Sequence, residues 1–228
     1  MSRTLNVVRL QLVNRQTYIW VPLLILAGSW VLTLVVFSMI PYDGAKYGGG
    51  AQAPLWYFMF VGVQALTLSF PFSQALSVTR REFYLGTLLT AALTSGILAS
   101  IFVIGGFAEQ ATNGYGMNGY FFYLGWLWEA GWWAAWLAYF AIAMLLFVAG
   151  FWGATIYKRG GPLVLTIVLV GLGAVLVALM WLTGLADAWA RVFSWIGAQG
   201  ALGLTLWGML LIAVLAASSF LTLRRAIP

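Results

Sequence analysis

The chain has 228 residues, 63% of them hydrophobic and only 7% charged, with a net charge of +6. Soluble domains are about half apolar and about a quarter charged, so a water-soluble globule of this size cannot hide so much apolar surface. Cysteine and histidine are both absent. That excludes disulfides, zinc sites of the Cys/His kind, haem held through His or Cys, and a Ser-His-Asp or Cys-His catalytic pair.

The composition belongs in a bilayer, and charge-free stretches predict six transmembrane helices in an all-α membrane protein. They run at about 18–40, 55–77, 85–107, 132–156, 162–183 and 200–223. Each is long enough for a helix to cross the hydrocarbon, where open strands would leave backbone groups unpaired. Residues 1–228 form a single transmembrane domain with no separate soluble part. Residues 1–17 carry Arg3, Arg9 and Arg15 among the apolar Leu5, Val8 and Leu12. They predict an interfacial helix on the cytoplasmic surface, although Val7, Leu10 and Val13 scatter around its wheel. The first span reads as a signal anchor, since it is longer than a signal-peptide core and no small-residue cleavage site follows it.

The loops set the orientation. Pro41–Pro54 holds Asp43-Gly44 and a Gly48-Gly49-Gly50 run, both turn signals. Residues 108–120 hold the turn pairs Asn113-Gly114 and Asn118-Gly119. Residues 184–200, the last external segment, have enough apolar residues for a short helix in the outer leaflet. Nine of the basic residues (Arg3, Arg9, Arg15, Arg80, Arg81, Lys158, Arg159, Arg224 and Arg225) fall on one side, and only Lys46 and Arg191 on the other. The positive-inside rule then places both termini in the cytoplasm. The same rule accounts for the basic balance without nucleic acid as a partner.

The available chemistry is narrow. No predicted span holds a charge, whereas ion-coupled carriers place an acid within theirs. The nearest exception is Glu129, in the aromatic run before span four, where an interfacial carboxylate in contact with water competes with a buried coupling acid. There is no Gly-Lys-Ser/Thr phosphate loop, because Lys46 follows Ala and Lys158 follows Tyr. No residue here is a candidate catalytic group, none binds a metal, and no cofactor is expected in this chain. Uphill transport would need a partner as its engine, docked on the sparse cytoplasmic loops.

The loop between spans two and three carries a resemblance. Ala75-Leu76-Ser77-Val78-Thr79-Arg80-Arg81-Glu82-Phe83-Tyr84-Leu85-Gly86 resembles the first cytoplasmic loop of type-2 ABC exporter permeases, with Ser77 where glycine is common. Six spans, cytoplasmic termini, a basic lead-in and a long last external segment resemble that family in layout. The resemblance implies a short coupling helix packing on a separate cytoplasmic ABC ATPase subunit, which would hold ATP and magnesium. It also implies a second permease chain, identical or related, and a multi-pass subunit of a bacterial plasma membrane. Within the segment Ser77, Val78, Thr79, Arg80, Arg81, Glu82 and Phe83 would dock. Arg80 and Arg81 would form a polar face suited to carboxylates, with Val78 and Phe83 as apolar pegs. The competing reading is that both arginines only anchor the span to lipid headgroups.

The same resemblance implies that spans two and five line a central path. On span two Gln64 and Thr67 share a face with Phe60 and could touch a cargo, or could bond a neighbouring helix instead. Span five is nearly all apolar, with Gly171 and Gly173 for close packing. Such walls suit a hydrophobic or amphipathic cargo such as a lipid, peptide or drug-like molecule. Trp126, Trp128, Trp132, Trp133 and Trp136 read as an outer aromatic belt. The alternative is a stacking surface for departing cargo built on Trp132 and Trp136, which are four apart. A rival to the exporter is a non-transport scaffold or immunity protein that binds a peptide or lipid.

Overall fold

The computed structural model describes residues 3–223, so Arg224 and Arg225 lie outside the described residues. The elements are α1 (Arg3–Val13), α2 (Gln16–Met39), β1 (Lys46–Tyr47), α3 (Gly49–Ala75) and α4 (Arg80–Ala111). After them come β2 (Gly119–Tyr120), α5 (Gly125–Trp128), α6 (Trp132–Leu185) and α7 (Trp189–Leu223). Among the described residues the fold is all-α apart from the two short strands. Five of its helices, α2, α3, α4, α6 and α7, are long and apolar enough to cross a membrane.

Helix α6 has 54 residues. As one rod it would run about 80 Å, more than twice a hydrocarbon core of about 30 Å. It does not, because Gly161 takes φ 75 and ψ −177 and Pro162 opens a second arm. A glycine just past one helix and a proline just inside the next is the usual grammar of such a break. Helix α7 breaks likewise at Gly200, with φ 59 and ψ −176. Prolines explain two milder defects. Pro22 and Pro71 lack an N–H, and each ring crowds the carbonyl four residues back. The chain relieves this by widening into π turns just before them, over Gln16–Trp20 and Ala65–Ser69.

The core lies where α3, α4 and the 132–160 arm of α6 meet. Lipid offers as much apolar contact as protein does, so close backbone approach and hydrogen bonds must hold such helices together. At the α3–α6 crossing a Cβ on Gly62 would strike the Phe147 carbonyl, and one on Gly150 the Met59 carbonyl. Ala91, Ala99, Ala135 and Ala143 are buried nearby, among the wholly enclosed rings of Phe70, Phe83, Phe102 and Phe147. The 201–223 part of α7 joins this body through Thr155 and Thr222, whose hydroxyls are 2.8 Å apart.

Helix α1 forms as the sequence predicts, but it does not lie free on a surface. Val7, Val8 and Gln11 are buried. Val7 sits against Gly86 and the Gln11 amide donates to the Thr87 hydroxyl at 2.8 Å. Its apolar residues look scattered because the face that α4 covers includes a glutamine. The stretch from 161 to 200 differs from everything else, since none of its residues is buried. Gly171 and Gly173, expected to mark close packing, meet open space.

Candidate functional site

The 74–84 segment is a tight turn and not a separate coupling helix. Helix α3 ends at Ala75 and α4 starts at Arg80, leaving four residues between. Ser77 takes a left-handed φ of 56, the conformation that a glycine would occupy without strain. The turn is then locked from the far side. Thr79 caps α4, accepting from the Glu82 N–H, while the Glu82 carboxylate accepts the Thr79 N–H at 3.0 Å and its hydroxyl at 2.8 Å. This reciprocal box satisfies donors that a helix start leaves open. Glu82 is thus an internal brace.

The two expected pegs part company. Phe83 is 0% exposed and packs on Phe70 with ring centroids 5.1 Å apart, so it serves the core and not the surface. Val78 is half-buried against the core. Arg80 donates to the Leu223 carbonyl at 3.3 Å, which ties α4 to the end of α7. Arg81, Ser77, Thr79 and Leu76 are exposed. The outward chemistry of the turn is therefore one guanidinium, two hydroxyls and one aliphatic side chain. Tyr84 stands just behind, donating to the Ala216 carbonyl of α7 and packed on Phe220 at 5.0 Å. A push on Arg81 reaches α4 and α7 together.

The residues expected along a path fall into two groups with different neighbours. Phe60 is exposed, and Gln64 and Thr67 are half-exposed, on the open side of α3. Thr67 bonds to the Val63 carbonyl of its own helix at 3.0 Å. Gln64 and Thr67 sit at the α3 π turn over Ala65–Ser69, where a widened helix presents its side chains out of register. On α6 Trp132 is exposed, while Trp136 donates to Ser100 of α4 at 3.0 Å and stacks on Phe140. The Trp132 and Trp136 pair divides, one open and one engaged with α4.

Sequence reasoning passed over one acid. Glu129 is exposed in the turn after α5. Glu109, in the last turn of α4, is 0% exposed. Its carboxylate accepts the backbone N–H groups of Phe121 at 3.0 Å, Phe122 at 2.9 Å and Tyr123 at 2.8 Å. Burial, and then the Glu109 charge, push the Tyr115 phenol above its ordinary range. The carboxylate holds down a cap made of the two interhelical loops. In it β1 pairs with β2 in parallel, Tyr47 stacks on Tyr120 at 5.6 Å, and Asn118 donates to the Asp43 carbonyl. Asn113, Gly114 and Asn118 adopt the left-handed turns that their dipeptides signal. A signal for Glu109 was present, because an acid in the last turn of a helix opposes the helix dipole and needs donors from elsewhere.

No protein-family model, curated protein or solved structure matches this chain.

Proposed function

We propose that the chain is the membrane-spanning permease subunit of an ATP-driven exporter in a plasma membrane, with a separate ABC ATPase supplying the work. The six spans of this reading are α2, α3, α4, the two arms of α6 divided at Gly161, and the 201–223 part of α7. The 76–79 turn then faces the cytoplasm and the Glu109 cap faces outward. A second permease chain, identical or related, completes the path, and the cargo is hydrophobic or amphipathic. ATP and magnesium belong to the partner.

The observation that carries this reading is the mechanical character of the 76–84 turn. It offers Arg81 outward on a short, capped joint, and it is bolted through Phe83, Tyr84 and Arg80 to the core and to α7. A partner that moves this turn moves two helices as one lever. A lipid anchor needs the charge but not the bolts. The lack of charge in the middle of each of the six proposed spans agrees with a transporter whose energy comes from outside the chain.

The test is a mild-detergent pull-down of the tagged chain from its native membrane. A stoichiometric P-loop ATPase is expected, and Arg81→Glu should lose it while the chain stays folded. An intact, abundant chain with no ATPase would overturn the reading and favour a scaffold or immunity protein.

A further inference from the structure

A cleft of ≈ 240 Å³ opens on the side of the bundle between α2 and α4. Phe58 and Leu98, both nearly fully buried, form its floor. Ile19 on α2 and Ile97 on α4 stand as partly exposed walls, and Leu12 of α1 closes one end. The cleft offers a ligand no hydrogen bond. Thr94, a polar residue on its wall, spends its hydroxyl on the Thr90 carbonyl at 2.9 Å. The Tyr18 hydroxyl is buried, without a hydrogen-bond partner among the described residues and without exposed surface of its own. Water gains nothing there, since a buried water needs two to four polar partners. Outside the cleft the same two helices show more apolar surface, with Leu24 67% and Ile104 68% exposed.

The end closed by α1 is chemically different. Arg15, in the joint between α1 and α2, is exposed and lies three residues from both Leu12 and Tyr18. A hydrocarbon slot with an exposed arginine within three residues of two of its lining residues matches an anionic amphiphile, tail in the slot and phosphate at the arginine. We infer that this cleft holds one acyl chain of an anionic phospholipid whose headgroup phosphate is bound at Arg15. This needs the helices to sit in a bilayer but does not depend on an ATPase partner, so either idea can fail alone.

The experiment uses the full chain without any ATPase, in nanodiscs of equal parts phosphatidylglycerol and phosphatidylethanolamine. A photo-reactive phenylalanine replaces Ile97 in one sample and Ile104 in another. Adducts are identified by mass. Position 97 should capture phosphatidylglycerol about fivefold over phosphatidylethanolamine, the preference expected of one basic group near a membrane surface. Position 104, on the open face, should capture the two lipids in their bulk ratio. Arg15→Gln should return position 97 to the bulk ratio while leaving its yield high. Leu93→Trp fills the cleft from a half-exposed wall and should likewise return capture at 97 to the bulk ratio, leaving 104 unchanged. Equal ratios at both positions would make the lipid ordinary annular lipid and overturn the assignment. So would enrichment that survives Arg15→Gln. Because Arg15 is exposed, that variant decides the matter even if the tryptophan variant fails to fold.

Discussion

The two arms of α6 are adjacent in sequence and alike in apolarity, yet their surroundings are opposite. Every buried residue of α6 lies before 157, and none lies in the arm that follows Gly161. Small residues alone do not separate them, because Gly171, Ala174 and Ala178 of the second arm stand at the same helical spacing and are exposed. The first arm places Ala134, Ala138 and Ala141 on one stripe, and Ala143, Gly150 and Ala154 on another, and all six are buried. The second arm presents Leu163, Ile167, Val170, Val175 and Leu179 outward, each at least 55% exposed. Both arms are apolar enough for a membrane, but hydrophobicity does not sort one from the other. Small residues at helical spacing let backbones approach, and in lipid that approach is what distinguishes a protein contact from a solvent contact.

The sharpest way to break this contrast is to enlarge one glycine in each arm. Gly150→Leu drives a side chain into the Met59 backbone, which cannot step aside as a side-chain tip would. Overpacking a tight core costs about 3 kcal/mol, and here the obstacle is backbone. We expect loss of a cooperative thermal transition in detergent. Gly171→Leu, in open space, should change stability by no more than about 0.5 kcal/mol. Equal effects would mean that the second arm packs on something within the chain.

The next largest effect belongs to the cap. Glu109→Ala leaves three buried N–H groups without an acceptor, at about 1–3 kcal/mol each when no water replaces it. A loss of about 3 kcal/mol is expected in denaturant unfolding. Glu129→Ala should be silent, since Glu129 is exposed. Glu109→Gln keeps one oxygen acceptor and should fall between them.

These two sites show what was legible in the sequence and what was not. The apolar helices, the Gly161-Pro162 break and the Asn-Gly turns follow from local rules of length and backbone freedom, and they lie close to where those rules put them. Gly62 and Gly150 are invisible locally, because each matters only when the other helix arrives. Gly171 and Gly173 misled for the same reason, since a glycine pair predicts an approach but not a partner. Glu109 escapes a local reading because its three donors lie 12 to 14 residues downstream. Phe83 is a docking peg only by resemblance to the permease loop, whereas α4 turns it inward onto Phe70.

The bare arm gives a subtler test. The chain has no cysteine, so a single one introduced anywhere from 163 to 185 reports without background. In detergent, with the chain isolated, a nitroxide label attached to that cysteine should be similarly mobile at every position. In membranes the proposed second chain should immobilise one position in every three or four, with a helical period. Uniform mobility in both would leave the arm covered by lipid alone and remove the proposed partner from this face.

The smallest effect compares two joints. The 76–79 joint is capped, and Gly161 has no such box. Thr79→Ala removes the capping box and should cost about 1 kcal/mol of helix stability. Arg81→Glu alters an exposed group and should leave the melting temperature almost unmoved. The proposed function makes the binding results run the other way. If the turn is a lever, the arginine carries the contact and the cap carries the stiffness, so Arg81→Glu loses the ATPase at full stability. Thr79→Ala would then keep the ATPase bound but weaken the coupling between ATP hydrolysis and transport. If the turn is only an anchor in the headgroups, neither variant changes the proteins that co-purify. The stability loss from Thr79→Ala remains in either case, which confirms that the box was there to be removed.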